Sequence, residues 1–253
     1  MTASSTASFT LGILETGRVP DPLSGKYEPY PAMFRELLAE TGATFRTYAI
    51  LDGDIPSDPS ECDAWLITGS KFGVYDGFDW IEKLKEFVRK AHEARRPIVG
   101  ICFGHQLIAE ALGGKVEKSD KGWGVGLHSW HLTGKADWME GAGEDFALQV
   151  SHQDQVVKLP EGAKVLASSD FCPNALLAYD DWAVSFQGHP EFSAGFSEDL
   201  IRMRRGTVLP EDFADKALAH VHDREDSGKV AHWITVFLKK ALAAKKASEA
   251  ERA

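Results

Sequence analysis

A cysteine near the middle of this 253-residue chain stands where a nucleophile could act. Cys102 lies between Gly100 and Gly104, at the point where a short apolar run gives way to a helical pattern. A side chain at such a strand-to-helix corner is lifted clear of the sheet, and the first amides of the helix point towards it. The pattern therefore favours a nucleophilic cysteine, although a buried, unreactive cysteine between two packing glycines would have the same local sequence.

A second polar group, His189-Pro190-Glu191, follows another apolar run further along the chain. His189 and Glu191 are two residues apart, so an extended backbone places both side chains on the same side of the strand. A carboxylate beside a histidine fixes its tautomer and favours the imidazolium ion. If both strands are parallel and end at the same sheet edge, Cys102 and His189 meet there. The three residues then form a Cys-His-Glu triad.

The elements that would position these residues alternate between strand and helix over the first half of the chain. Helical spacing from Pro31 and over residues 80–94 predicts two helices, and Gly113-Gly114 is typical of the end of the helix after Cys102. Apolar runs predict strands at residues 9–15, 44–50, 64–70 and 97–101. This alternation predicts an α/β fold with an open, mostly parallel central sheet flanked by helices.

Beyond Gly114 the hydrophobic pattern changes from helical to alternating. It predicts an additional small antiparallel β section, with strands at residues 125–132, 146–150, 164–168, 176–179 and 182–187. A charged stretch at residues 193–228 predicts one or two surface helices, and a final amphipathic helix follows. We expect residues 1–8 to form a disordered tail, residues 9–244 a single domain, and residues 245–253 a frayed end.

The composition narrows the classes of function. Lys and Arg number 28 against 38 Asp and Glu, a net charge of −10, which disfavours a nucleic-acid partner. The three cysteines lack the spacings of a disulfide framework or a zinc site. No apolar run approaches the about 20 residues that span a bilayer, and the first residues do not resemble a signal peptide. We expect a soluble, cytoplasmic protein without a membrane partner.

Three motifs together resemble the class I, or triad, glutamine amidotransferase family. They lie at residues 100–106, 151–160 and 188–192, in the order and at spacings similar to those of the family. Within the family, the chain looks most like stand-alone members, namely γ-glutamyl peptidases and the glutaminase half of GMP synthase. The resemblance implies a flavodoxin-like fold and a reaction that needs no metal or organic cofactor.

The resemblance also implies a role for each matching position. Cys102 is implied to be the nucleophile, His189 the base and acid, and Glu191 the group that orients His189. The oxyanion hole is implied to consist of backbone N–H groups from Phe103 and from the Gly69-Ser70 turn, where many relatives have two glycines. The residues implied to hold the α-amino and α-carboxylate groups of a glutamyl substrate are Gln106, Ser151 and His152.

The activity that the resemblance implies is hydrolysis of the γ-amide of glutamine, or of γ-glutamyl amides and peptides, through a γ-glutamyl thioester. Glutamate is released together with ammonia or an amine. One alternative is a glutaminase subunit that supplies ammonia to a separate synthetase, and another is a non-catalytic regulatory member of the fold. Other families with a cysteine at such a corner, such as cysteine-elbow α/β hydrolases, account for neither the 151–160 run nor the His-Pro-Glu ending.

The sequence leaves the roles of one histidine and two tyrosines open. His105 lies three residues after Cys102, and we expect a packing role for it rather than a catalytic one. Tyr27 and Tyr30, in the segment after the first strand, are candidates for a lid over the substrate.

Overall fold

The computed structural model describes residues 9–251. Residues 1–8, for which the sequence predicts a disordered tail, lie outside the described residues, as do residues 252 and 253. The strands are β1 (Thr10–Glu15), β2 (Thr44–Ala49), β3 (Ala64–Ile67), β4 (Ile98–Ile101), β5 (Lys115–Lys118), β6 (Gly124–Leu132), β7 (Asp145–His152), β8 (Asp154–Lys158), β9 (Ala163–Ser168), β10 (Leu176–Tyr179) and β11 (Ala183–Phe186). The α-helices are α1 (Tyr30–Leu37), α2 (Asp79–Glu93), α3 (Phe103–Ala111), α4 (Ala194–Arg204), α5 (Glu211–His220) and α6 (Ser227–Ala250).

Nine strands form one open sheet in the order β2-β1-β3-β4-β11-β10-β9-β6-β7. From β2 to β11 all neighbours are parallel, and from β11 to β7 all are antiparallel. The predicted α/β fold is therefore confirmed. The predicted antiparallel β section is present as well, and its strands continue the central sheet, because β11 pairs with β4 on one side and β10 on the other.

The core lies on both faces of the parallel half of the sheet. All four residues of β3 are buried, and they alternate between the faces as a pleated strand requires. Leu66 packs in the cluster that contains apolar side chains of α6, such as Trp233, whereas Trp65 and Ile67 pack in the cluster that contains α2 and α3. Helices on both faces bury a continuous apolar strand, which is why these runs lack polar alternation.

Two parts of the structure add to the sequence-based expectation. The strands β5 and β8 pair as a separate two-stranded sheet, which the pattern missed because Lys115–Lys118 buries only Val116. At the other end of the chain α6 continues to Ala250, and the frayed end expected for residues 245–253 stays a prediction. Lys245 lies in this last part of α6, with Nζ 3.0 Å from the carbonyl oxygen of Ala94 and 2.8 Å from Glu249 Oε1.

The pairing of β4 with β11 positions the predicted catalytic residues. The two strands are parallel, with Ile101 opposite Phe186, and the Cys102 N–H donates to the Phe186 carbonyl at 2.8 Å. The chain therefore leaves both strands at the same sheet edge, towards Cys102 on one side and His189 on the other. Within residues 9–251, none of the helices has a stretch long and apolar enough to cross a membrane.

Candidate active site

Cys102 sits at a sharp corner between β4 and α3. Its backbone has φ +51° and ψ −98°, a conformation that is strained for any residue with a Cβ. The flanking glycines make the corner possible: a Cβ on Gly100 would lie 2.6 Å from the Gly104 carbonyl oxygen, and one on Gly104 would lie 2.4 Å from that of Ile67. Because neither clash occurs, α3 packs directly on the sheet and its N-terminus abuts the cysteine.

His189 and Glu191 form a buried pair beside Cys102. His189 Nδ1 donates to Glu191 Oε1 at 2.8 Å, which leaves Nε2 for the cysteine. The His189 N–H donates to the Gln149 carbonyl at 2.8 Å, so the backbone of the histidine is anchored to β7. The His189 and Glu191 side chains are 4% and 0% exposed, so no solvent competes for this hydrogen bond.

Two neighbours restrict the His189 ring. The Phe192 ring is stacked on it, with the two ring centroids 3.9 Å apart and an angle of 4° between the planes. Gly69 touches the ring as well, because a Cβ at this position would lie 2.7 Å from His189 Cε1 and 3.7 Å from the Cβ of Cys102. Histidine, cysteine and the Gly69 turn therefore meet at one point.

The charge of His189 is set by this environment. Burial lowers its pKa, but the Glu191 carboxylate and the charge and hydrogen bond of Cys102 outweigh burial, and together they raise the pKa of His189 to about 10. The imidazolium form is therefore favoured at neutral pH, as in a thiolate–imidazolium pair. Such a pair combines a nucleophile with a proton donor for a leaving group.

A cavity of about 620 Å³ lies over His189 and Gly69. Ser151, Phe192 and Arg204 line it as well. The other lining residues are those of the segment Gly17–Pro22 together with Tyr30, Leu51, Ser70, Lys71, Phe72, Trp80 and Leu200. Cys102 is 5% exposed and lies next to the Gly69 and His189 part of the wall. A substrate in this cavity can thus present a carbonyl group to the cysteine.

Comparison with known proteins identifies the family. The family described as Glutamine amidotransferase class-I matches residues 35–203. The chain belongs to this family. It is 32% identical over 200 residues to gamma-glutamyl peptidase 3 of Arabidopsis thaliana, covering 76% of this chain and 80% of that protein. It is 30% identical over 245 residues to a glutamine amidotransferase-like protein of Schizosaccharomyces pombe, covering 91% and 98% respectively.

The chain is also similar to a GMP synthase and to a solved structure of a glutamine amidotransferase. The chain is 36% identical over 130 residues to the GMP synthase of Clostridium novyi, covering 51% of this chain and 24% of that protein. A crystal structure of a glutamine amidotransferase from Thermotoga maritima superposes with a TM-score of 0.70 at 17% identity, covering 92% of this chain and 97% of that chain. The protein is accordingly a hydrolase of the glutamine amidotransferase class, and the structural likeness confirms its fold.

The residues expected to form the oxyanion hole of this glutamine amidotransferase surround the same point. Phe103 is the first residue of α3, so its N–H has no acceptor within the helix. Gly69 and Ser70 lie on the cavity wall, and neither has a positive φ. The serine therefore fits a turn in which many relatives have a second glycine, and its Oγ donates to the Thr16 carbonyl at 2.6 Å.

The three residues expected to bind a glutamyl group are separated by the structure. Ser151 lies on the cavity wall. Gln106 is buried, and its Nε2 donates to the Asp154 carbonyl at 2.9 Å and to Gln187 Oε1 at 3.1 Å. His152 is buried too, and its Nδ1 lies 3.1 Å from the Asp154 carbonyl oxygen. The side chains of Gln106 and His152 hold the loop between β7 and β8, and neither is part of the cavity wall.

Arg204 and Phe192 are wall residues that the sequence analysis missed. Arg204 ends α4, and its Nη1 donates to Ser151 Oγ at 2.7 Å. Phe192 directly follows the His-Pro-Glu motif, which was the one signal that could have indicated it. Of the two tyrosines considered for a lid, Tyr30 lies on the wall, whereas the Tyr27 hydroxyl donates to the Gly195 carbonyl at 2.8 Å.

His105, on the helix that follows the cysteine, is a buried histidine. His105 Nδ1 lies 2.8 Å from Ser185 Oγ, and burial lowers the pKa of His105 to about 3. The histidine is therefore neutral and packs beneath α3, the role expected for it.

Across residues 9–251 there is no group of three or more His, Cys, Asp or Glu side chains arranged to hold a metal ion.

Proposed function

We propose that this protein hydrolyses γ-glutamyl amides or peptides by covalent cysteine catalysis, with Cys102, His189 and Glu191 as the catalytic residues. The observation that carries the proposal is the triad geometry at the wall of a cavity of about 620 Å³. This volume lies in the range that holds a drug-sized ligand. It is larger than glutamine alone requires, so the cavity has room for an amine on the leaving-group side.

The reaction follows from the positions of the three residues. The Cys102 thiolate attacks the γ-carbonyl carbon, and the oxyanion that forms is stabilised by the N–H groups of Phe103 and the Gly69-Ser70 turn. Removal of one such donor typically costs on the order of 10²–10³ in rate. The His189 imidazolium protonates the amine nitrogen as the C–N bond breaks, leaving a γ-glutamyl thioester on the cysteine.

The second half of the reaction reverses these roles. Neutral His189 takes a proton from water, whose oxygen attacks the thioester carbonyl carbon. The C–S bond breaks, glutamate is released, and the thiolate–imidazolium pair is restored. Glu191 accepts the hydrogen bond from His189 Nδ1 and keeps the ring of His189 in the required tautomer.

The walls of the cavity support a substrate larger than glutamine. Phe72 and Trp80 present aromatic surface, with ring centroids 5.7 Å apart, and Trp80 continues to Phe103 at 5.5 Å. Apolar surface of this kind suits an amine with an apolar body. The relatives in Arabidopsis named gamma-glutamyl peptidases support the same substrate class.

Release of glutamate from glutamine and from a panel of γ-glutamyl amines and peptides tests this function. We expect turnover of the amines and peptides without any partner protein, and a higher kcat/KM for them than for glutamine. The Cys102→Ala variant should release no glutamate, and a Cys172→Ala variant should match the wild type. Turnover that survives Cys102→Ala, or no turnover of any γ-glutamyl compound, would rule the proposal out.

A second candidate is a glutaminase subunit that feeds ammonia to a separate synthetase. It is favoured by two exposed aromatic residues close to the cavity wall, Tyr75 and Phe78, each 45% exposed. Such surface is typical of a contact site. This function predicts slow hydrolysis of glutamine that rises when a synthetase and its nucleotide substrate are added. Rapid, unassisted turnover of γ-glutamyl amines would argue against it.

A further inference from the structure

Arg204 places a positive charge on the wall of the cavity. It is the last residue of α4, its side chain is half-buried, and its guanidinium lies 5.7 Å from the Trp123 ring centroid. Its hydrogen bond to a side chain is the one from Nη1 to Ser151 Oγ, at 2.7 Å. The other guanidinium donors have no side-chain acceptor among the described residues.

The arginines on either side of it are paired, and Arg204 is not. Arg202 contacts Glu198 at 2.7 Å, and Arg205 contacts Asp215 at 2.7 Å. In the part of the chain that the structure describes, no carboxylate lies within ion-pair distance of Arg204. Burial also lowers the pKa of Arg204. A partly desolvated guanidinium without an anion is costly, so the cavity is arranged to receive one.

The geometry selects the kind of anion. A guanidinium presents parallel N–H groups that match the two oxygens of a carboxylate. Ser151 Oγ accepts from Arg204, so its own hydroxyl proton is available to donate to the same carboxylate. Both side chains line the same cavity as His189. The carboxylate therefore belongs to a molecule whose carbonyl group lies at the catalytic cysteine.

We propose that Arg204, acting beside Ser151, which the family resemblance already implies at this place, binds the α-carboxylate of the glutamyl group and thereby determines specificity for substrates that carry it. This inference rests on the proposed function. A short saturated chain separates the α-carboxylate of a glutamyl group from its γ-carbonyl, so both can lie on one wall. Two other cations line the cavity, but Arg18 is paired with Asp52 and Lys71 is exposed to solvent. Arg204 is the partly buried cation of the wall, and Ser151 is its hydrogen-bond partner there.

The proposal is tested by pairing an enzyme variant with a substrate variant. The substrates are a γ-glutamyl anilide and the same compound with its α-carboxylate converted to a carboxamide. We expect the wild type to prefer the acid by about 10- to 100-fold in kcat/KM, which is the effect of one or two charge-assisted hydrogen bonds. The Arg204→Gln variant should lose this preference through KM, and Arg204→Lys should keep part of it.

The matched control is Arg202→Gln, which removes an arginine from the same helix where the side chain is 59% exposed. It should retain the wild-type preference. Thermal unfolding of each variant shows that the fold is kept. The proposal is overturned if Arg204→Gln lowers kcat/KM equally for the acid and the carboxamide. It is also overturned if the lost preference follows a carboxylate on the leaving group, measured with γ-glutamylglycine against γ-glutamyl methylamide.

A binding measurement separates this proposal from the catalytic one. Glutamate is titrated into the Cys102→Ala variant, with and without Arg204→Gln, and the heat of binding is measured. Binding that is lost with Arg204→Gln supports the carboxylate site even if no substrate is turned over. Binding that is unaffected by Arg204→Gln overturns the site even if the hydrolytic activity is present.

Discussion

The ring of Phe192 lies parallel to the ring of His189, with the centroids 3.9 Å apart. An aromatic face at this distance attracts an imidazolium ion and prevents the ring from turning away from Cys102. The neighbouring Phe196, with a ring centroid 4.5 Å from that of Phe192, supports this position from the next helix. Phe192 is therefore expected to act on the reaction by positioning the histidine.

The Phe192→Leu variant should lower kcat by about 10-fold with little change in KM, because an imperfectly positioned proton donor affects the transition state more than binding. The alkaline limb of its rate profile should also move to lower pH, since the imidazolium loses the aromatic face. Steady-state kinetics across the pH range measure both effects. Phe237→Leu, at a buried position of α6 that packs against Trp138, is the control: a comparable loss of stability should leave the pH profile unchanged.

Replacement of Glu191 is expected to change the pH dependence. The carboxylate opposes the effect of burial and contributes to the raised pKa of His189, about 10. Activity that needs the imidazolium is present below this value and is lost as the pH rises through it. In the Glu191→Gln variant the alkaline limb of kcat/KM should therefore shift to lower pH, and kcat at neutral pH should fall about 10²-fold. An unchanged limb would show that the carboxylate does not set the charge of His189.

The hydrogen-bonded pair of His189 and Glu191 makes the free energy of unfolding depend on pH. The pKa of His189 is raised above its ordinary value of 6.5, so its contribution to stability is fully present below that pH and is lost as the pH rises towards about 10. The free energy of unfolding of the wild type should therefore fall across this window by more than that of Glu191→Gln. Denaturant titrations at several pH values measure the difference.

Gly69→Ala should damage catalysis through a direct clash. The added Cβ would lie 2.7 Å from His189 Cε1, so the ring must move. We expect kcat to fall by on the order of 10²-fold, since small displacements of a catalytic group have costs of this size. Gly25→Ala is the matched control, because its Cβ would have no neighbour within 4 Å. Wild-type activity in Gly69→Ala would contradict the close packing described here.

The strained backbone of Cys102 predicts that a glycine variant at this position is more stable than an alanine variant. Its φ of +51° is favoured only for glycine, so Cys102→Gly should unfold with a free energy about 1 kcal/mol higher than Cys102→Ala. At Cys172, which has no positive φ, the order should be reversed. Chemical denaturation of the four variants measures both differences. A less stable Cys102→Gly would show that the corner stores no strain.

The cysteines should also differ in reactivity. Burial raises the pKa of Cys172 to about 12 and also raises the pKa of Cys62, so both thiols remain protonated at neutral pH. Only Cys102 has an imidazolium and a helix N-terminus beside it. An electrophile that resembles glutamine should therefore label Cys102 alone, and mass spectrometry of the digested protein identifies the site. Labelling should be lost in Cys102→Ala and slower in His189→Ala.

The sequence predicts those parts of the site that follow from strand ends. Cys102 and His189 each come soon after a buried strand, and two such strands that are parallel neighbours must bring them together. Arg204 could not be found in this way, because its place on the wall depends on how α4 packs against β7. The inward direction of Gln106 was equally hidden, since its acceptors, at the start of β8 and just after β11, are distant in sequence.

In the fold as well, the elements with a strong local sequence pattern were predicted, and those that depend on distant contacts were not. Apolar runs and glycine stops located the parallel strands because burial on both faces leaves a strong pattern. The strands β5 and β8 were missed because they are short, and in β5 only Val116 is buried. The fraying expected from residue 245 onwards stays a prediction, and the contact of Lys245 with the end of α2 could not be foreseen because it joins residues distant in sequence.

The parallel pairing of β4 with β11 has a consequence for engineering. The reactive pair is carried by the buried centre of the sheet, whereas residues 18–22, Lys71 and Phe72 line the cavity from loops outside the sheet. Exchanging these surface segments leaves the hydrogen-bonded frame of the two strands intact. A library confined to them would therefore sample new leaving-group amines while the chemistry at the cysteine stays constant.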